Sequence, residues 1–276
     1  MLLTREEMTY DFGGARFDVE RDREMLSWIF SQSLFGEATG CYCGAALYGA
    51  PDVEAATFLA RQAVEEFSHF RQFLRIFQIL GTRPAAPHPI MRFLTSHEPL
   101  WDHHVTLEMA IGEGLVLNAF YALIDTIDHP DIKKILSTVA RQEAGHVELG
   151  ERQAMKAIQG RPALRRQLLG LNLLSLEAAR RLGGFVSLRF ASDHPVLRHM
   201  PGFIEHTVSN AELRLQRMGL LQSRFADIPI SRKLLLVAEG MTARRIRKVL
   251  EPERARIPDT YLQDPVVDEM LRARPA

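Results

Sequence analysis

Apolar residues recur at three- and four-residue spacings over most of the chain, and alternation bounded by turn residues is hard to find. The pattern predicts an all-α protein. A first long helix is predicted over 22–48, stopped by Gly49, Ala50 and Pro51. A second begins near Pro51 and runs to Leu80, with Gly81 as its stop. Pro84, Pro87, Pro89 and Pro99 then remove backbone donors and bias the residues before them away from helix, so 82–100 reads as a long connection with at most a helical turn at 90–96. A third helix is predicted over 101–127, broken by Asp128, His129 and Pro130, and a fourth over 131–158, before Gly160 and Pro162. Four long helices therefore come as two hairpins. Three more helical stretches follow at 163–190, 203–225 and 230–250, with an extended tail.

Two of these helices carry a Glu-x-x-His unit, Glu66 with His69 and Glu143 with His146. Residues three apart share a helical face, so carboxylate and imidazole can reach one metal ion. About one such unit arises by chance in a chain of this composition, and each alone is weak evidence. The glutamates upstream change that. Glu37 precedes Glu66 by 29 residues and Glu113 precedes Glu143 by 30, so both hairpins repeat one arrangement. At about 1.5 Å per residue, antiparallel pairing puts Glu37 and Glu66 within roughly 3 Å of the same height, and Glu113 and Glu143 within roughly 4.5 Å. Six candidate ligands converge at mid-bundle.

Four carboxylates facing one another in a low-dielectric core repel, and cations are expected to neutralise them. Two divalent ions balance Glu37, Glu66, Glu113 and Glu143, and the mixture of carboxylates with two imidazoles suits iron or manganese rather than a thiolate-bound metal.

The order Glu, Glu-x-x-His, Glu, Glu-x-x-His resembles the di-iron carboxylate members of the ferritin-like superfamily. The resemblance covers about 22–158 and implies a four-helix bundle with added C-terminal helices. It also implies that Glu66 and Glu143 bridge two irons, Glu37 and His69 completing one and Glu113 and His146 the other. The segment from Ala140 to Glu151, with the 29- and 30-residue intervals, is similar to the small aldehyde-deformylating oxygenases. No Cys-x-x-Cys pair supports a rubrerythrin-type centre, and Gly150 stands where an N-oxygenase would carry a further histidine. The expected activity is dioxygen-dependent oxidation of an apolar or acyl-type organic substrate, with an external electron donor. The alternatives are a ferroxidase without organic substrate and a structural helical scaffold.

Other acidic and basic residues compete for roles. Glu108 lies 35 residues before Glu143 and breaks the hairpin symmetry, so it is expected to be solvated or to act behind the ligands. Glu98 sits beside Pro99, outside the helix. Glu148 and Glu151 read as surface, Glu65 as pointing away from Glu66 by a step of about 100°, and His103 and His104 as interfacial or solvent-facing. Gly36, Gly40, Gly112, Gly114 and Gly145 crowd the ligands, either for close helix packing or to leave volume free. Phe70, Phe73, Leu117 and Phe120 continue the ligand faces as core or as pocket wall.

At 276 residues the chain can bury a core without disulfides. The reading divides it into a bundle over 1–160 and a helical extension over 161–276 packed on it. Cys41 and Cys43 lie two apart in a helix and cannot form a framework. With no secretory signal and no apolar run of membrane-spanning length, the protein is expected to be cytoplasmic. Net charge is zero but unevenly spread: residues 1–160 hold 14 Lys/Arg against 22 Asp/Glu, and 161–276 hold 20 against 12. A cluster at 231–256, including Arg232, Lys233, Arg244, Arg245, Arg247, Lys248, Arg254 and Arg256, reads as a solvated face or as a docking surface for an anionic, carrier- or coenzyme-A-linked substrate. Nucleic acid is not expected.

Overall fold

The computed structural model describes residues 1–89, 91, 100–190, 193–250, 269, 271 and 272. Among them the architecture is all-α, with no strand beyond one isolated bridge between Phe17 and Ile127. After a short α1 (Arg5–Met8), closed by a capping box between Thr4 and Glu7, four long helices form the bundle. α2 (Arg23–Gly40) runs on as 3-10 turns over Cys41–Gly49. α3 (Val53–Leu80) starts at Asp52, whose side chain accepts from the Ala55 N–H, and stops at Gly81 with φ 64°, a conformation that L side chains rarely adopt. α4 (Trp101–Thr126) and α5 (Pro130–Ile158) form the second hairpin, with Pro130 in the first turn where its missing N–H costs nothing. Glu98 and most of the 90–96 turn lie outside the described residues.

α4 differs from the regular helix that its pattern predicts. Between Trp101–His103 and Glu113–Thr126 it is a π-helix over His104–Gly112, ending where the Glu113 N–H bonds to the Glu108 carbonyl five residues back. Contrary to the sequence expectation, Trp101–Thr126 is also long and apolar enough to cross a membrane by length and composition, yet half of its apolar window is buried inside the protein. It is the core helix of the second hairpin.

Two apolar clusters fill the bundle. One contains Phe30, Leu34, Phe73, Phe77, Leu117, Phe120 and Val139. The other contains Leu59, Met109, Leu149 and Cys43 from the bundle, and it continues into the C-terminal helices through Leu164, Leu168, Ala211 and Leu215. Those helices are α6 (Pro162–Arg189), α7 (Pro195–Arg198), α8 (Met200–Arg217) and α9 (Ile230–Leu250). α9 packs mainly on α6, where Gly170 and Gly240 permit close approach: a Cβ on Gly240 would lie 2.7 Å from the Gln167 carbonyl. Its other face exposes Ile230, Leu234, Leu235 and Ile246.

Candidate metal centre

The layer between the two clusters is polar, and all six predicted ligands meet there. Glu37 (α2), Glu66 and His69 (α3) and Glu143 (α5) offer donor atoms within 4.8 Å of one another. Glu66, Glu113 (α4), Glu143 and His146 (α5) form a second group on the same criterion. Glu66 and Glu143 belong to both. Each contributes its two oxygens in opposite directions: Glu143 Oε1 is 3.1 Å from His69 Nδ1, and its Oε2 is 3.3 Å from His146 Nδ1. Glu66 behaves likewise, at 3.7 and 3.3 Å.

The backbone makes this convergence possible in two places. Gly40 stands against the Glu66 carboxylate, and a Cβ there would lie 2.8 Å from its Cδ. Of the glycines near the ligands, Gly40 therefore serves close approach, whereas a Cβ on Gly36 or Gly145 would meet nothing within 4 Å. On α4, the π-helix ends at Gly112 and delivers Glu113 to the site. There Gln62, one turn before Glu66, donates to Glu113 Oε1 at 2.9 Å.

The electrostatics follow from burial plus four carboxylates and two imidazoles in one layer. Burial pushes Glu37 up to about 8, only partly offset by His69. Burial also drives Glu113 well above the carboxylate range, against the pull of His146. For Glu143 burial acts in the same direction, but the neighbouring His146 and His69 outweigh it and hold the group at about 2. Glu66 is lowered too, burial and Glu143 being overcome by the two histidines. Both imidazoles are raised despite burial, because carboxylates surround them. Taken by themselves, the six groups thus favour ionised Glu66 and Glu143 against the two imidazoles, with Glu37 and Glu113 shifted toward their protonated forms.

The donor set fits metal ions. Glu113 Oε2, Glu143 Oε2 and His146 Nδ1 are buried and make no hydrogen bond, although they face one another at 3.3 to 3.8 Å. Buried polar atoms without partners are costly, and a cation coordinated by all three would satisfy them. The outer nitrogens of the rings are held as well: His69 Nε2 lies 3.0 Å from Gln142 Oε1, and His146 Nε2 lies 2.8 Å from Glu65 Oε2.

Several neighbours depart from the sequence expectations. Glu65 does not point away from the centre: at the edge of the bundle it reaches across to His146, whose hydrogen bond holds it below the usual carboxylate range. Glu151 is buried rather than at the surface, accepting from Arg214 Nε at 2.8 Å and from the Leu2 N–H at 2.6 Å. Glu148 is exposed as expected. His103 and His104 are buried, not solvent-facing, and His104 Nδ1 is 2.8 Å from Glu108. Glu108 stays out of both donor groups, as the hairpin symmetry implies. The sequence pattern does not mark Gln62, Glu65, Gln142 or Arg214 as partners of the site. Proximity alone gave a signal for Gln62 and Glu65, which lie four and one residues before a ligand, but Arg214 is remote in sequence. Phe70, Phe73, Leu117 and Phe120 belong to the apolar core, and the Phe73 and Phe120 rings lie 5.7 Å apart.

No family model matches the chain, and no curated protein matches it in sequence. Among solved structures, one described as protein 19 with aldehyde deformylating oxidase activity, from Synechococcus, aligns with a TM-score of 0.51 over 83% of this chain and 99% of that one, at 16% identity. The fold is ferritin-like. At that identity the likeness concerns architecture. Beyond the four bundle helices, α6 and α8 share the second apolar cluster, and α7 adds Val196 and Leu197 to the first.

Proposed function

We propose that this protein holds two divalent metal ions, iron or an iron–manganese pair, and uses them to activate dioxygen toward an apolar organic substrate of the aldehyde or acyl class. The observation that carries the reading is the pair of overlapping donor groups, with Glu66 and Glu143 common to both. In this reading Glu37 and His69 complete one position, and Glu113 and His146 the other. Such ions would supply the electrons and Lewis acidity that dioxygen chemistry needs. The chain's own residues do the rest. Glu66 and Glu143 hold the two positions together, Gln62 orients Glu113, and Glu65 and Gln142 fix the two rings. The apolar clusters on either side exclude water. The aldehyde class is favoured by the aldehyde deformylating oxidase activity of the Synechococcus protein. The exposed apolar side chains of α9, beside the exposed Arg232 and Arg245, suit delivery from an anionic acyl-bearing partner.

The test is metal analysis of the purified chain, followed by oxygen uptake with a chemical reductant and a medium- or long-chain aldehyde. About two metal ions per chain and uptake stimulated by the aldehyde support the proposal. Two ions with uptake driven by Fe(II) alone and indifferent to the aldehyde would assign a ferroxidase instead. A chain that binds no metal would leave a structural polar layer.

A further inference from the structure

The outer sides of the two histidines are not alike. His69 Nδ1 faces Glu37 and Glu143 at 3.1 Å each, and its Nε2 lies 3.0 Å from Gln142 Oε1, a neutral amide oxygen that can only accept. His146 Nδ1 faces Glu66, Glu143 and Glu113, and its Nε2–H points instead at the carboxylate of Glu65, at 2.8 Å. Apart from Gln62, which donates to Glu113 Oε1, the inner partners are shared or matched: Glu66 and Glu143 serve both positions, and each has one further glutamate, Glu37 or Glu113. The difference between the positions therefore lies in the atoms behind the rings. Arg61 on α3 is the cation near Glu65, at 3.7 Å across an exposed edge, so it screens the carboxylate only in part.

We infer that the two metal positions are unequal by construction, and that Glu65 is the positioning residue that makes the Glu113–His146 position the tighter one. An imidazole whose far N–H is held by a carboxylate is fixed in tautomer and orientation and is a stronger donor to a cation than one held by an amide. Glu65 also adds one negative charge on that side of the layer, for which the Glu37–His69 side shows no counterpart among the described residues. Gln62 draws some electron density from Glu113 Oε1 but leaves Oε2 without a hydrogen bond and removes no charge. The two positions should consequently fill in order, the Glu113–His146 position first, which gives a mixed-metal pair a defined place for each ion. The inference rests on the metal-binding reading above.

The test is equilibrium titration of the metal-stripped full chain with Mn(II), following free Mn(II) by electron paramagnetic resonance. Two classes of site are expected, and Glu113→Ala should abolish the tight class while Glu37→Ala retains it. Glu65→Gln preserves size and can still accept a hydrogen bond. It should weaken the tight class about 10-fold or more while leaving the weaker class within a few-fold. Gln142→Glu should tighten the weak class. Glu65 lies at the bundle edge, and unchanged helical circular dichroism and melting temperature verify that the variant folds. Two equal classes in the wild type, a tight class that survives Glu113→Ala, or a Glu65→Gln variant with unchanged constants overturns the inference and leaves two-metal binding standing. Failure of the wild type to bind Mn(II) or Fe(II) defeats the function proposal itself.

Discussion

Arg214 in α8 and Glu151 in α5 form an ion pair with Nε 2.8 Å from Oε1, and neither side chain is more than 2% exposed. The pair joins the C-terminal helices to the bundle in the neighbourhood of the candidate centre. Gly114, the residue after Glu113, leaves the space that the guanidinium occupies, since a Cβ there would lie 2.8 Å from Cζ of Arg214. The guanidinium also reaches Met8 Sδ at 3.4 Å, while its Nη1 has no partner. Burial lowers the arginine's pKa, against the opposing pull of Glu151.

Breaking this pair from one side strands a buried charge. Arg214→Met should destabilise the fold by about 3–5 kcal/mol in urea melts, and the double variant Arg214→Met/Glu151→Leu should recover much of the loss. A single variant within about 0.5 kcal/mol of wild type would show that the pair contributes little.

On α4 the test is between two glutamates five residues apart. Glu113→Ala should remove metal from one position and abolish oxygen reactivity. Glu108→Ala takes away a partner of His104 and a source of repulsion on Glu113, and should retain much of both. The reverse ranking, measured by metal content and oxygen uptake, would place the ligand one π-turn earlier. Either bridging variant, Glu66→Ala or Glu143→Ala, should lose both ions.

Proton release gives a pH-dependent check. Glu37, raised to about 8, carries a proton at neutral pH, both imidazoles are raised by the carboxylates around them, and burial drives Glu113 well above the carboxylate range. Glu66 and Glu143 are already ionised. Loading divalent ions should therefore release protons near pH 7, and affinity should fall as pH falls. Above about pH 8 Glu37 is already deprotonated and the release falls by about one proton. Calorimetry in buffers of different ionisation enthalpy measures this number, and a release near zero would contradict the charge balance described.

Gly40 separates stability from binding. Alanine there gains helix propensity, by up to about 1 kcal/mol, but its Cβ displaces the Glu66 carboxylate. Gly40→Ala should keep or raise the melting temperature of the metal-free chain while weakening metal binding roughly 10- to 100-fold. Equal metal affinity in the variant would mean that Glu66 tolerates the shift.

Much of this was legible in the chain alone. The 3.6-residue periodicity and the Gly and Pro stops determined most of the long helices to within a few residues, because those signals act locally, although α8 ends at Arg217 rather than at 225 and α2 passes into 3-10 turns after Gly40. The equal spacing of Glu37 to Glu66 and Glu113 to Glu143 brought six side chains to one height, because helical rise converts sequence distance directly into length. Tertiary structure alone decided the rest. The π-helix of α4 depends on a backbone bonding choice over nine residues that periodicity does not resolve. Glu65 was assigned away from the centre because a helical wheel gives direction from one axis only, while His146 approaches from a neighbouring helix. Glu151 became a buried partner of Arg214, 63 residues away, through the docking of α8, and no local pattern encodes which surface a later helix will cover.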